Sequence, residues 1–136
     1  MRQRFRVVCL LILAASVLGC GGVKPVTGGT AGLLHSGSEK LSDIQITVHQ
    51  VKGGSSKPIG FGAARSDGSF QLVTDGAKGP LHLTPGEYRC TLESVGATVE
   101  IPKEYAQSDT TPLKITWPTS DQKLDLDIPA PKPSKY

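Results

Sequence analysis

The chain is short of the residues that small exported domains use as staples and that many binding sites use as platforms. Its 136 residues include three cysteines, one tryptophan, one methionine, three tyrosines and three phenylalanines. Cys9 lies in an N-terminal apolar run, so only Cys20 and Cys90 stand beyond it. A small secreted domain built on disulfides shows four or more cysteines, so a disulfide framework is excluded. Sugar sites favour exposed aromatic rings, and few are available. No apolar run is long enough to span a bilayer, which takes roughly 20 residues. No helical period holds over ten residues, and no basic cluster of the kind that nucleic acid requires is present.

What is present begins at the N-terminus. Arg2, Arg4 and Arg6 precede Val7–Val17, eleven residues that are apolar apart from Cys9 and Ser16. A positive start, a short apolar core and a small-residue stop describe a secretory signal. The run ends in Val17-Leu18-Gly19-Cys20, followed by Gly21 and Gly22. That stretch resembles the lipobox of bacterial lipoproteins, with an aliphatic residue three before the cysteine and a small residue just before it. The resemblance implies cleavage between Gly19 and Cys20, a diacylglycerol on the Cys20 thiol and an acylated new amino terminus. Two or more acyl chains hold a protein stably on a bilayer, where one does not. Gly21 differs from the aspartate that marks inner-membrane retention in such lipoproteins, so the resemblance implies the outer membrane. The alternative is a plain signal peptide followed by a free or disulfide-bonded Cys20.

On this reading residues 1–19 are a leader. The 136 residues less those 19 leave 117, one domain, able to bury roughly two-thirds of its unfolded surface without covalent help. Loss of the three arginines takes the 15 Lys and Arg to 12, equal to the 12 Asp and Glu. The remaining domain is formally neutral, with its charges dispersed.

Residues 20–32 read as the anchor, a glycine-rich tether and a weak first strand, and residues 33–129 as the sandwich domain. Residues 130–136, "APKPSKY", read as a proline-rich, disordered or extended tail. Within the domain, apolar residues alternate at period 2, the mark of half-buried strands. Ile44, Ile46 and Val48 share one face; so do Ile59, Phe61 and Ala63; Phe70, Leu72 and Thr74; Tyr88, Cys90 and Leu92; Ala97, Val99 and Ile101; Leu113, Ile115 and Trp117; and Leu124, Leu126 and Ile128. Turn chemistry separates the runs. "GGSSKP" divides the second strand from the third, Asp67-Gly68 marks a tight hairpin, Pro85-Gly86 a type II turn, and "PTSDQ" joins the last two strands. Pro102–Ser108 allows at most one helical turn. Many short strands at this spacing predict an all-β sandwich.

The order of "KPVTG", "ARSDGSFQL", "DGAKGPLHLTPGEYRCTL", "IPKEYAQSDTTPLKITW" and "KLDLDI" resembles the small lipoproteins of planctomycete bacteria that carry a carboxypeptidase-regulatory-like, transthyretin-like domain. The resemblance covers nearly all of the chain beyond Cys20. It implies an all-β fold, an about seven-stranded Greek-key β-sandwich at the cell envelope. The pairing of the first strand stays open, and the family brings no activity with it.

Candidate chemistry is sparse. A nucleophile elbow, G-x-S-x-G, is lacking, and "HSGS" at His35 reads as a loop. His35, His49 and His82 are scattered, without metal-ligand spacing. Asp121, Asp125 and Asp127 could meet a hard cation but read better as a solvated strand face. Glu100 and Glu104 could imitate a glycosidase pair, with nothing suggesting a cleft. Cys90 falls on an inward face and reads as a small core hydrophobe. Tyr105 stands as the best candidate for an exposed aromatic, although the family resemblance implies that it packs locally, and "KGGSSKP" and "DGAKGPLHLTPG" stand as candidate binding loops. The sequence predicts no catalytic residue, no cofactor and no metal. It predicts a lipid-anchored envelope domain with a structural or protein-interaction role, and alternatively a carbohydrate- or peptidoglycan-binding accessory module. The expected partners are the membrane, through lipid on Cys20, and an envelope protein or glycan, with no nucleic acid.

Overall fold

The computed structural model describes residues 26–97 and 99–133; Gly19 and Cys20 lie outside these. Among the described residues the strands are β1 Ala31–Ser36, β2 Glu39–Lys40, β3 Ile44–Lys52, β4 Ser55–Ala63, β5 Ser69–Gln71 and β6 Val73–Thr74. They continue with β7 Gly86–Ser94, β8 Val99–Glu100, β9 Lys114–Trp117, β10 Leu124–Asp127 and β11 Lys132–Pro133. One 3-10 turn, Lys103–Ala106, lies between β8 and β9, opened by Pro102 as expected. The domain is almost entirely β-stranded. Five strands form one sheet in the order β6-β4-β3-β7-β9. Four form a second, β10-β1-β2 with β5 also on β1, and β8 and β11 form a small third.

The alternation in the sequence builds the core. Ile44, Ile46 and Val48 on β3 and Tyr88, Cys90 and Leu92 on β7 are buried, with Ile46 opposite Leu92 and Val48 opposite Cys90. Leu34, Phe70, Leu124 and Leu126 from the four-stranded sheet belong to the same apolar cluster, as do Ile128 and Leu113. Each such side chain contributes about 1.5–3 kcal/mol on burial. The Tyr88 hydroxyl donates 2.6 Å to the Thr84 carbonyl, which satisfies its one polar atom at the edge of the core. The β3–β4 hairpin turns at Gly53 and Gly54, both at positive φ (57° and 82°), the two-residue geometry that matches strand twist.

Several expectations change. The strands number eleven among the described residues rather than about seven, because several are only two or three residues long. The first strand runs through Leu33, Leu34 and His35 to Ser36, so "HSGS" begins as strand and not as loop. Its inward positions are Gly32 and Leu34, and a glycine carries no apolar signal. On β4 the face is the reverse of the one expected: Gly60, Gly62 and Ala64 are buried, whereas Ile59 and Phe61 lie half-buried and Ala63 exposed. A Cβ at Gly60 would run into the Val73 carbonyl and the Leu81 side chain, and one at Gly32 into the Phe70 ring. The neighbouring chain packs directly on the glycine backbone, so the small residues point inward.

The Asp67-Gly68 turn forms, with Gly68 at φ 79° and the Asp67 carboxylate accepting from the Ser69 amide at 3.0 Å. It is not a hairpin within one sheet: β4 pairs with β3 and β6, and β5 crosses to pair with β1. Pro85-Gly86 is not a type II turn; Gly86 has φ 157° and opens β7. Only Gly53 and Gly54 of "KGGSSKP" turn, and Ser55 onward is strand. The described part of the tail, through Pro133, is extended and paired, Lys132 with Glu100 and Pro133 with Val99.

Candidate functional site

The four-stranded sheet brings together residues far apart in sequence. β1 and β10 run parallel, with Leu33 opposite Asp125 and His35 opposite Asp127. Leu34, Leu124 and Leu126 take the inward positions, so His35, Asp125 and Asp127 share the outer face. His35 Nε2 lies 2.5 Å from Asp125 Oδ1, and Nδ1 lies 2.7 Å from the Gly37 carbonyl and 3.7 Å from Asp127 Oδ1. Asp127 Oδ1 also accepts from the Gly37 amide at 3.0 Å. The His35 side chain is 14% exposed and the two carboxylates 66% and 63%.

This geometry favours the charged form of His35. A carbonyl only accepts, and so does an ionised carboxylate, so both ring nitrogens of His35 must donate; only the imidazolium does that. The hydrogen bond to Asp125, then the one to Gly37, hold the His35 pKa above its ordinary value, with both carboxylates adding attraction. An imidazolium held this way is a poor base, because its proton is already in place.

Beside this cluster lies an open cleft of about 450 Å³, lined by Arg65, Gln71, Asp121, Lys123 and Asp125 among others. Its rim is partly committed to the turn after β9. Asp121 Oδ1 accepts from Thr119 at 3.0 Å, a bond that lowers the Asp121 pKa. A second cleft of about 650 Å³ lies along β8 and β11 and is lined mainly by Ala97, Val99, Ile101, Pro102, Ala130 and Pro131.

The remaining candidates scatter. His49 sits on the outer face of the five-stranded sheet, with Nε2 2.9 Å from the Thr91 hydroxyl, and burial lowers its pKa. His82 is exposed. Glu100 lies on β8 and Glu104 in the 3-10 turn, both exposed. Cys90 is fully buried as expected, and desolvation pushes its thiol up to about 12, so it carries no thiolate near neutrality. Tyr105 is buried at 4% exposure, so it is not an exposed aromatic and packs locally, as the resemblance implied. Burial raises its pKa first, and the charges of Glu104 and Asp127 add to that. Among the described residues no three His, Cys, Asp or Glu side chains are placed to hold a metal ion.

Sequence reasoning weighed Asp125 and Asp127 together but His35 apart from them, and missed their meeting. The two strands are 90 residues apart, and alternation tells which face a residue takes but not which strand lies beside it. No family model, curated protein or solved structure matches the chain.

Proposed function

We propose that the chain is a lipid-anchored β-sandwich module of the cell envelope with a structural or protein-interaction role and no catalysis. The observation that carries it is Val17-Leu18-Gly19-Cys20 at the end of a short apolar run. The spacing supports it. Residues 21–27 separate Cys20 from Gly28 and Thr30, the first residues bonded to the domain, a reach of up to roughly 25 Å when extended, which lets the domain stand clear of a lipid surface. The non-catalytic part draws on the buried, protonated Cys90 and on His35 held as a cation by acceptors. The finer fold reading is a Greek-key sandwich of the transthyretin-like, carboxypeptidase-regulatory-like kind. Its support is the single core shared by the two larger sheets, together with the Tyr88-to-Thr84 bond, a corner device of such sandwiches. Gly21, in place of the retention aspartate, favours the outer membrane by the same resemblance.

A second reading, a glycan-binding accessory module, draws on the cleft beside Asp125, where Arg65, Gln71 and Lys123 stand among apolar residues such as Leu33 and Leu124. Its walls offer hydrogen-bonding groups and no exposed ring.

Labelled palmitate fed to expressing bacteria, followed by mass spectrometry of the mature N-terminus, tests the anchor. Acylated Cys20 as the first residue is expected. Cys20→Ser is expected to leave an uncleaved, unlabelled precursor, while Cys90→Ser keeps its label. An unmodified N-terminus, or one at another residue, overturns the lipoprotein reading.

A further inference from the structure

We propose that His35, Asp125 and Asp127 form a proton-dependent latch that closes the last strand onto the first. β10 is an edge strand, paired with β1 alone among the described strands through four residue pairs. The Ile128 amide extends that ladder by donating to the His35 carbonyl at 3.0 Å. The side chain of the same histidine grips both outward carboxylates of β10. One residue thus fastens the end of β1 to the end of β10 through backbone and side chain together.

Proton loss undoes the side-chain half. A neutral imidazole has one N–H, so His35 must release either the Gly37 carbonyl or Asp125. Asp125 and Asp127, two residues apart on one face, then lose the cation between them. The other charged neighbours do not replace it. On β2, Glu39 pairs opposite Ser36, while Lys40 pairs opposite His35 and shares its face but makes no ion pair with Asp125 or Asp127 among the described residues. Arg65 and Lys123 belong to the cleft on the far side of Asp125. From the 3-10 turn, the buried Tyr105 feels the charge of Asp127 and brings no cation to it.

The direction follows from linkage. His35 binds its proton more tightly in the folded chain than in the unfolded one. The latch is therefore fully closed below the ordinary histidine range and is released as pH rises through the raised His35 pKa. Acidification tightens the seam and alkalinisation loosens β10 with the residues behind it, through Lys132–Pro133. This holds whether or not Cys20 carries lipid.

The test uses the full chain in detergent micelles. The His35 ring is titrated by NMR, and amide exchange of residues 124–128, corrected for intrinsic rates, is compared with that of β3 between pH 5.5 and 9. His35 is expected to titrate above 6.5. Opening of β10 relative to β3 is expected to rise by the factor by which its proton affinity exceeds the ordinary one. Asp125→Asn is expected to lower the His35 pKa and flatten the exchange profile, and His35→Gln to abolish its pH dependence. Titration of His35 at or below 6.5, or a β10 protection in the natural chain that ignores pH, overturns the latch. Should the variants fail to fold, those two measurements on the natural chain decide it alone.

Discussion

The β3–β7 centre of the five-stranded sheet and the β1–β10 seam of the four-stranded sheet solve the same task by different means. β3 is bonded on both sides, through eight residue pairs to β4 and seven to β7. All of that pairing is antiparallel; β3 and β4 are neighbours along the chain, and β4, β5 and β6 lie between β3 and β7. The seam has four parallel pairs between strands from opposite ends of the domain, and β10 has no partner on its other side among the described strands. Both bury leucine- or isoleucine-sized side chains completely. The centre can rely on its ladder and core. The seam, with a shorter ladder at an edge, adds charge on its solvent face. Where backbone pairing is short, side chains on the outer face have more to contribute.

The largest effect that separates the two regions is cavity formation. Ile46→Ala and Leu126→Ala each remove a fully buried side chain, and losses of about 2–5 kcal/mol are the norm. Ile46 is clamped between β4 and β7 and cannot shift to close the gap, so its loss is expected near the upper end. Leu126, on an edge strand, can move inward, and its loss is expected near the lower end. Denaturant unfolding gives both values; equal losses would mean that the two regions do not differ in rigidity.

Overpacking comes next. Gly60→Ala sets a methyl against the Val73 carbonyl, which β4–β6 pairing holds in place, and a loss of about 1–3 kcal/mol is expected. Gly32→Ala meets the Phe70 ring instead, a side chain that can turn aside only by disturbing the core. Thermal melts of the pair test whether β4 tolerates a normal residue. An unchanged Gly60→Ala melt would contradict the inward glycine face.

The smallest effect is the most discriminating. His49, on the five-stranded sheet, pairs across from Arg89 and bonds Thr91, and burial lowers its pKa. A histidine that resists protonation when folded gives stability that is lost as pH falls below the ordinary histidine range. His35 behaves in the opposite sense. Stability measured from pH 5 to 9 in His49→Gln is expected to lose the acid-side decline and keep the alkaline one. A profile that keeps the acid-side decline would show that His49 plays no part in it.

Much of this was legible along the chain. β3, β7 and β10 follow from alternation alone, because each has one apolar face and the core accepts that face whatever strand lies alongside. Cys90 and Leu126 were placed inward for the same reason, and the 3-10 turn after Pro102 came from proline chemistry. β4 misled because the alternation of Ile59, Phe61 and Ala63 is real, yet a closer neighbour claimed the glycine side. Tyr105 reads as exposed from its polar loop alone; only the resemblance pointed to the local packing that buries it.

By itself the sequence determined the strand-rich class, the faces of the regular strands, the glycine turn of the β3–β4 hairpin and the lipobox-like stretch at Cys20. These depend on residues within a few positions of one another, where stereochemistry and burial act locally. Tertiary structure alone decided that β5 leaves its neighbour to join β1, that β4 turns its glycines inward and that His35 meets Asp125 and Asp127. Each depends on which strand becomes adjacent to which. That choice is made by the packing of the whole core, and no local pattern records it.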